Sequence, residues 1–136
     1  MVRILYAALA GFLLGVSAFF TFIVPEVAFR VLPSVQLAPF LAGIFPRFYA
    51  LTAVAGALLT LLSLVLPRRG TLEFAWPAAA LLLTLFAWLW LLPAVNRAVG
   101  TPAFGALHGI SLGLDLVAML LWLLGLIAAY SRRRST

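Results

Sequence analysis

The chain contains no cysteine and no lysine, and only three of its 136 residues are acidic. Without cysteine there are no disulfides, no thiol redox chemistry and no Cys-ligated metal or iron–sulfur centres. Charge of either sign is scarce: 9% of residues are charged against 66% hydrophobic, a balance outside that of water-soluble domains. All nine cations are arginine and give a formal net charge of +6, which on a soluble domain would point to nucleic acid. Here they fall between long apolar runs, where arginine meets phospholipid headgroups. Membrane lipids are therefore the expected partner, and nucleic acid is not. The lack of lysine, with a single Asn, a single Gln and abundant Leu, Ala and Arg, fits a GC-rich bacterial genome.

What the chain has in excess is uncharged length. Residues 4–24 form an unbroken apolar run, and about 20 helical residues rising about 1.5 Å each cross a hydrocarbon core of about 30 Å. The run follows Met1, Val2 and Arg3 in the manner of a signal peptide. It is long for that role and has no small-x-small cleavage site before Pro25, so it is read as a retained helix. A second run, 48–66, stops at Pro67, Arg68, Arg69 and Gly70; its helix is expected to begin near Pro39 and to pass Pro46 with a kink. The third follows Trp76 and Pro77, with the proline in the first helical turn, and continues through Pro93 to about Arg97. The fourth ends before Arg132, Arg133 and Arg134, and His108, Ser111 and Asp115 are its polar interruptions.

These runs are twice the length of a transmembrane strand and do not alternate, so helices, which satisfy their own backbone groups in lipid, are the reading that remains. The expectation is an all-α fold: an integral membrane four-helix bundle, a single transmembrane domain over 1–136 with helices at about 4–31, 39–66, 75–97 and 103–130. Pro25, Pro46 and Pro93 should each distort their helix, since proline removes one hydrogen bond and crowds the preceding turn. Gly11 and Gly15 form a G-x-x-x-G pair expected to pack inside the bundle.

Glu26, Arg30, Arg47, Tyr49, Asn96, Arg97 and His108 all fall near one end of these helices, the end away from the termini. Together they could form a shallow polar site for a small ligand or ion, or serve as interfacial residues and caps. Glu26 and Arg30 are spaced i, i+4, the order that favours a pair within one helix. His108, Ser111 and Asp115 are spaced i, i+3, i+7 and share one stripe about 60° wide. Asp115 lies two turns inside an apolar span, where an ionisable group must be neutral, paired or hydrated. Arg47, Arg97, Ser111 and a hydroxyl such as that of Thr52 are its candidate partners; a polar clip between helices is the structural alternative.

His108 is open to several roles: haem or metal ligand, proton carrier, or hydrogen-bonded interface residue. A lone histidine excludes bis-histidine haem and three-His zinc within one chain, and leaves a five-coordinate haem, a mixed His and carboxylate site, or a ligand shared across a dimer. Ser111 beside His108 does not make a nucleophilic site, because no oxyanion hole or water path accompanies it. No catalytic residues and no cofactor are predicted, with haem as the outlying alternative, and the chain is not expected to be an enzyme.

Several short stretches resemble a known family. Phe22, Pro25, Phe29 and Arg30 leading to Leu32 and Pro33, then Ile44, Phe45, Pro46, Phe48 and Tyr49, then Phe104, Leu107, His108, Gly109 and Ser111 are similar to the transmembrane protein 205-like family, with Asn96 at a further polar position. The bacterial members of that family are grouped as a domain of unknown function. The resemblance implies a four-helix membrane protein; its eukaryotic member has been linked to platinum-drug resistance. Relatives often carry Asn where this chain has Asp115. A more distant likeness, to copper-resistance membrane proteins and the haem-dependent protoporphyrinogen oxidase, implies haem or copper by analogy. The functional expectation is binding or passage of a small ligand or ion at an extracytoplasmic polar cluster. The alternatives are an accessory subunit in a homo-oligomer or larger membrane complex, and a haem- or copper-binding protein.

With four spans the loops sort into two sets, Arg3, Arg68, Arg69, Arg132, Arg133 and Arg134 against Arg30, Arg47 and Arg97. The excess of arginine places both termini and the loop after Leu66 in the cytoplasm, and the protein in a bacterial inner membrane. A Gly70→Cys variant, the sole thiol in the chain, should resist an impermeant maleimide added to intact cells and react after lysis. Labelling from outside would reverse the topology.

Overall fold

A computed structural model describes residues 1–66 and 70–131. Pro67, Arg68 and Arg69, and Arg132, Arg133 and Arg134, which carry most of the topology argument, lie outside the described residues. Four helices, each long and apolar enough to cross a membrane, make up the fold: α1 (Val2–Val31), α2 (Ser34–Leu64), α3 (Thr71–Ala98) and α4 (Ala103–Ser131). There is no strand among the described residues, and the fold is the all-α four-helix bundle of an integral membrane protein.

Short turns set the topology. Leu32, just before Pro33, is extended (φ −89°, ψ 135°), as residues ahead of proline tend to be, and this ends α1. α2 restarts at Ser34, with the amides of Gln36 and Leu37 donating to the Pro33 carbonyl at 2.8 and 3.1 Å. α2 thus begins five residues before the expected Pro39, which is carried inside the helix. α3 also begins early, at Thr71, because the Glu73 carboxylate accepts the Gly70 amide and caps the first turn. Pro77 consequently lies beyond the first turn and is buried. Between α3 and α4 the chain reverses at Gly100, whose φ of +81° favours glycine. Each helix packs on its neighbour in sequence, and α4 closes the ring against α1. The termini meet: Arg3 donates to the Ala129 carbonyl at 2.8 Å.

The prolines act differently from one another. Pro25 and Pro93 each follow a π-helical turn, Phe19–Ile23 and Ala87–Leu91, starting six residues before the proline in both cases. The wider turn lets the amides of Val24 and Leu92 reach back five residues, to Phe19 and Ala87, which eases the ring past the preceding turn. No such turn precedes Pro46, where α2 stays α-helical.

Alanines and a limited set of large side chains face the bundle axis, and many other large ones face out. Ala10, Ala55, Ala80, Ala118 and Ala129 are buried with Tyr6, Leu13, Leu59 and Trp122 in the half near the termini. Phe20, Phe48, Tyr49, Ala87 and Leu92 fill the other half. Phe12, Phe19, Leu82, Trp90 and Leu120 are exposed, as side chains solvated by lipid are. The G-x-x-x-G pair departs from expectation: a Cβ on Gly11 or Gly15 would meet nothing within 4 Å, so these glycines face outward. The close approach occurs instead at Gly125, where a Cβ would sit 3.0 Å from the Tyr6 hydroxyl and 3.3 Å from Pro77 Cδ. Gly125→Val should therefore destabilise the bundle by about 1–3 kcal/mol through overpacking, whereas Gly11→Val should leave it nearly unchanged. Thermal unfolding in detergent compares the two, and equal melting temperatures would contradict this packing.

Candidate functional site

The two π turns place their following segments, with the beginnings of α2 and α4, around a cavity of about 310 Å³ at the end of the bundle away from the termini. α1 contributes Pro25 and Phe29, α2 Leu37, Leu41 and Phe45, α3 Leu92, Val95 and Asn96, and α4 Phe104, His108 and Ser111. Among the described lining residues only Asn96, His108 and Ser111 are polar. The His108 ring stacks on Phe104, centroids 5.6 Å apart and nearly parallel at 9°. The imidazole thus lies along the wall of a mostly apolar chamber.

At the floor Phe45 lines the cavity and backs onto an aromatic layer. Phe20 stacks on Phe48 at 4.1 Å and meets Phe45 edge-on at 5.2 Å, while Phe48 lies 5.2 Å from Tyr49. Tyr49 is 1% exposed, and its hydroxyl is the only polar atom this layer presents among these rings. That hydroxyl lies 3.3 Å from Ser111 Oγ and donates to the Asp115 carboxyl, 3.3 Å from each oxygen. Ser111 thus joins the cavity wall to a polar pair beneath the floor.

Below Tyr49 lies a second, much smaller cavity, about 10 Å³, lined by Ser17 of α1, Thr52 of α2, Thr84 of α3, and Asp115 and Trp122 of α4. Each helix supplies at least one hydroxyl or carboxyl to this layer, α2 supplying Thr52 and Tyr49. Thr52 donates to the Phe48 carbonyl at 2.9 Å and Thr84 to that of Ala80 at 2.9 Å, so neither hydroxyl hydrogen points to Asp115. The Ser17 hydroxyl and the Trp122 indole N–H are buried without a hydrogen-bond partner.

The structure brings together five of the residues singled out by sequence: Asn96, His108 and Ser111 on the wall, Tyr49 and Asp115 beneath it. The other four stay apart at the rim. Glu26 and Arg30 form an exposed 2.7 Å ion pair within α1. Arg47 is exposed and donates to the Gly43 carbonyl of its own helix at 2.5 Å, and Arg97 does the same to Pro93 at 3.2 Å. Neither arginine reaches Asp115, whose hydrogen-bond partner is Tyr49. The expected Thr52 contact is replaced by that tyrosine. Sequence reasoning passed over Ser17, Thr84 and Trp122, and also Glu73, which is fully buried where it caps α3 beside the Tyr6 hydroxyl. Isolated hydroxyls at the middle of two apolar spans were the signal for the first two. The sequence G-T-L-E, a cap followed three positions later by Glu, was the signal for Glu73.

A ring of four spanning helices with a cavity at one end defines a polytopic integral membrane protein. The chain belongs to the family described as a domain of unknown function, DUF4149, which it matches over residues 8–101. It is also similar to an uncharacterized protein of Aquifex aeolicus (strain VF5), 33% identical over 119 residues, covering 85% of this chain and 87% of that protein. No solved structure matches it. The family match includes Tyr49 and Asn96 and ends seven residues before His108.

If Tyr49 and Asp115 hold each other, their removal is not additive. A double-mutant cycle of Tyr49→Phe and Asp115→Ala should show a coupling of about 1 kcal/mol. Tyr49→Phe with Arg47→Ala should add without coupling. Unfolding in detergent measures both, and equal additivity would remove the Tyr49–Asp115 bond from the account.

Proposed function

We propose that the protein binds a small, largely apolar molecule bearing one hydrogen-bonding group in the 310 Å³ cavity between the four helix ends. The observation that carries this reading is the lining itself: aliphatic and aromatic walls with Asn96, His108 and Ser111 as the polar positions. Binding sites of this size are commonly mostly apolar, with a few polar groups that fix orientation. The same lining favours such a molecule over a bare ion, since the rim arginines and Glu26 hold to their own helices. Binding needs no chemical step, and the chain is read as no enzyme.

The arginine distribution supports a bacterial inner membrane with both termini cytoplasmic, and hence a cavity on the extracytoplasmic side. The likeness to the transmembrane protein 205-like family belongs with this reading, as do haem and copper, which would rest on His108 alone among the chain's histidines. A second reading, an accessory subunit packing against another helix, is favoured by the outward glycines: Gly11 and Gly15 on α1 and Gly105, Gly109 and Gly113 on α4 all have open space above them.

Binding can be tested with 1-naphthol, an apolar bicycle with one hydroxyl, and protein in lipid nanodiscs. The expected result is saturable uptake above that of empty discs, abolished by Ala42→Phe, which enlarges a lining residue of α2 and fills the chamber, and weakened by His108→Leu. An absorption spectrum of the same sample should show no Soret band. Uptake unaffected by either substitution would overturn the binding reading and bring the accessory role forward.

A further inference from the structure

We propose that Asp115 is a proton-exchange site served from the large cavity alone, through Ser111 and Tyr49, with one water held in the polar layer beneath it. The proposal does not depend on what the large cavity binds.

The polar layer requires a guest of defined character. The hydroxyl hydrogens of Thr52 and Thr84 are committed to backbone carbonyls, which leaves their lone pairs for the space between the helices. Ser17, 2% exposed, has an unpartnered oxygen, and Trp122, also 2% exposed, has an unpartnered N–H. A species that satisfies both kinds of group must donate and accept. Water does so; a bare metal cation accepts nothing. The space, about 10 Å³, matches one water, and the polar partners are the number such a water needs.

Among the described residues Asp115 forms no ion pair with a cation. The groups facing it from each packed helix are Ser17 on α1, Tyr49 and Thr52 on α2, Thr84 on α3, and Ser111 and Trp122 on its own helix; none is charged, and Tyr49 alone among them is titratable. A carboxyl this deep in an apolar section is left with proton exchange as its means of changing charge. Toward the termini the described hydroxyls of Tyr6, Thr60 and Ser63 donate to backbone carbonyls, and Leu13, Leu59 and Trp122 of the core there carry no hydroxyl to extend a relay. Toward the cavity there is a chain of exchangeable hydroxyls, Ser111 then Tyr49, at 3.3 Å steps. A proton arriving at Ser111 Oγ from the cavity displaces that hydroxyl's own proton to the Tyr49 oxygen, and the Tyr49 proton passes to the Asp115 carboxylate. Each hydroxyl gains one proton and loses one, so both end neutral and only Asp115 changes charge. Release runs in reverse.

Asp115 is the only aspartate in the chain, so carboxyl-labelled ¹³C-aspartate reports it alone. The full-length protein, inserted in one orientation in phospholipid vesicles, is examined by solid-state NMR while internal and external pH are set separately. The expected result is one carboxyl resonance that shifts with the pH on the cavity side and ignores the other side. Ser111→Ala and Tyr49→Phe should each slow that response by an order of magnitude or more. A resonance that follows the pH on the termini side, follows both sides, or does not shift would overturn the proposal. So would an unchanged rate in Ser111→Ala, which alters the cavity wall and not the packed floor, and serves as the deciding variant if Tyr49→Phe folds poorly.

Discussion

Lipid gives apolar helices no hydrophobic reason to associate, because their side chains are as well solvated by acyl chains as by one another. The bundle therefore rests on how closely its backbones can approach, and this explains where its residues sit. Alanines line the axis, and the tightest contact, Gly125 against Tyr6 and Pro77, brings α4 against α1 and α3 together. Many large apolar side chains are turned outward, while a few, Tyr6, Tyr49 and Trp122 among them, fill the axis between the alanines. With small residues inside, a polar layer can be enclosed without a large void, and Ser17, Thr52, Thr84 and Asp115 occupy that position.

Close packing ends where the prolines begin. Pro25 and Pro93 stand at corresponding places in α1 and α3, each preceded by a widened turn, and beyond them the helices no longer share a filled axis. The large cavity lies in this region, so the two π turns precede the part of the bundle that holds the most room. α1 and α3 run in the same direction and use the same device, a correspondence that lies in backbone geometry more than in residue identity.

Helix number and approximate length were legible because an apolar run longer than about 20 residues has few alternatives in lipid. Helix starts were less so. The early start of α3 depends on the Glu73 carboxylate turning back onto Gly70, a local bond that competes with the reading of Pro77 as a first-turn residue. The stripe of His108, Ser111 and Asp115 was legible from helical spacing; the structure connects Ser111 and Asp115 through Tyr49 and leaves His108 on the cavity wall beside Phe104. The charged residues were less transparent. Glu26, Arg30, Arg47 and Arg97 share a depth with the cavity, but depth does not give the direction of a long flexible side chain, and each bonds within its own helix. Gly11 and Gly15 show the same gap: spacing gives a face but not what the face looks at.

The contacts of the first helix have a consequence for biogenesis. Tyr6 bonds to the carbonyl of Glu73, 67 positions later, and Arg3 to that of Ala129, 126 positions later. A ribosome delivers α1 to the membrane first, yet the partners that fasten its beginning are delivered in the third helix and in the last turn of the fourth. Until α3 and α4 have been inserted, α1 has α2 as its neighbour and lacks both of these contacts. The last turn of α4 therefore holds the first turn of α1, a contact that cannot form before both helices are in place.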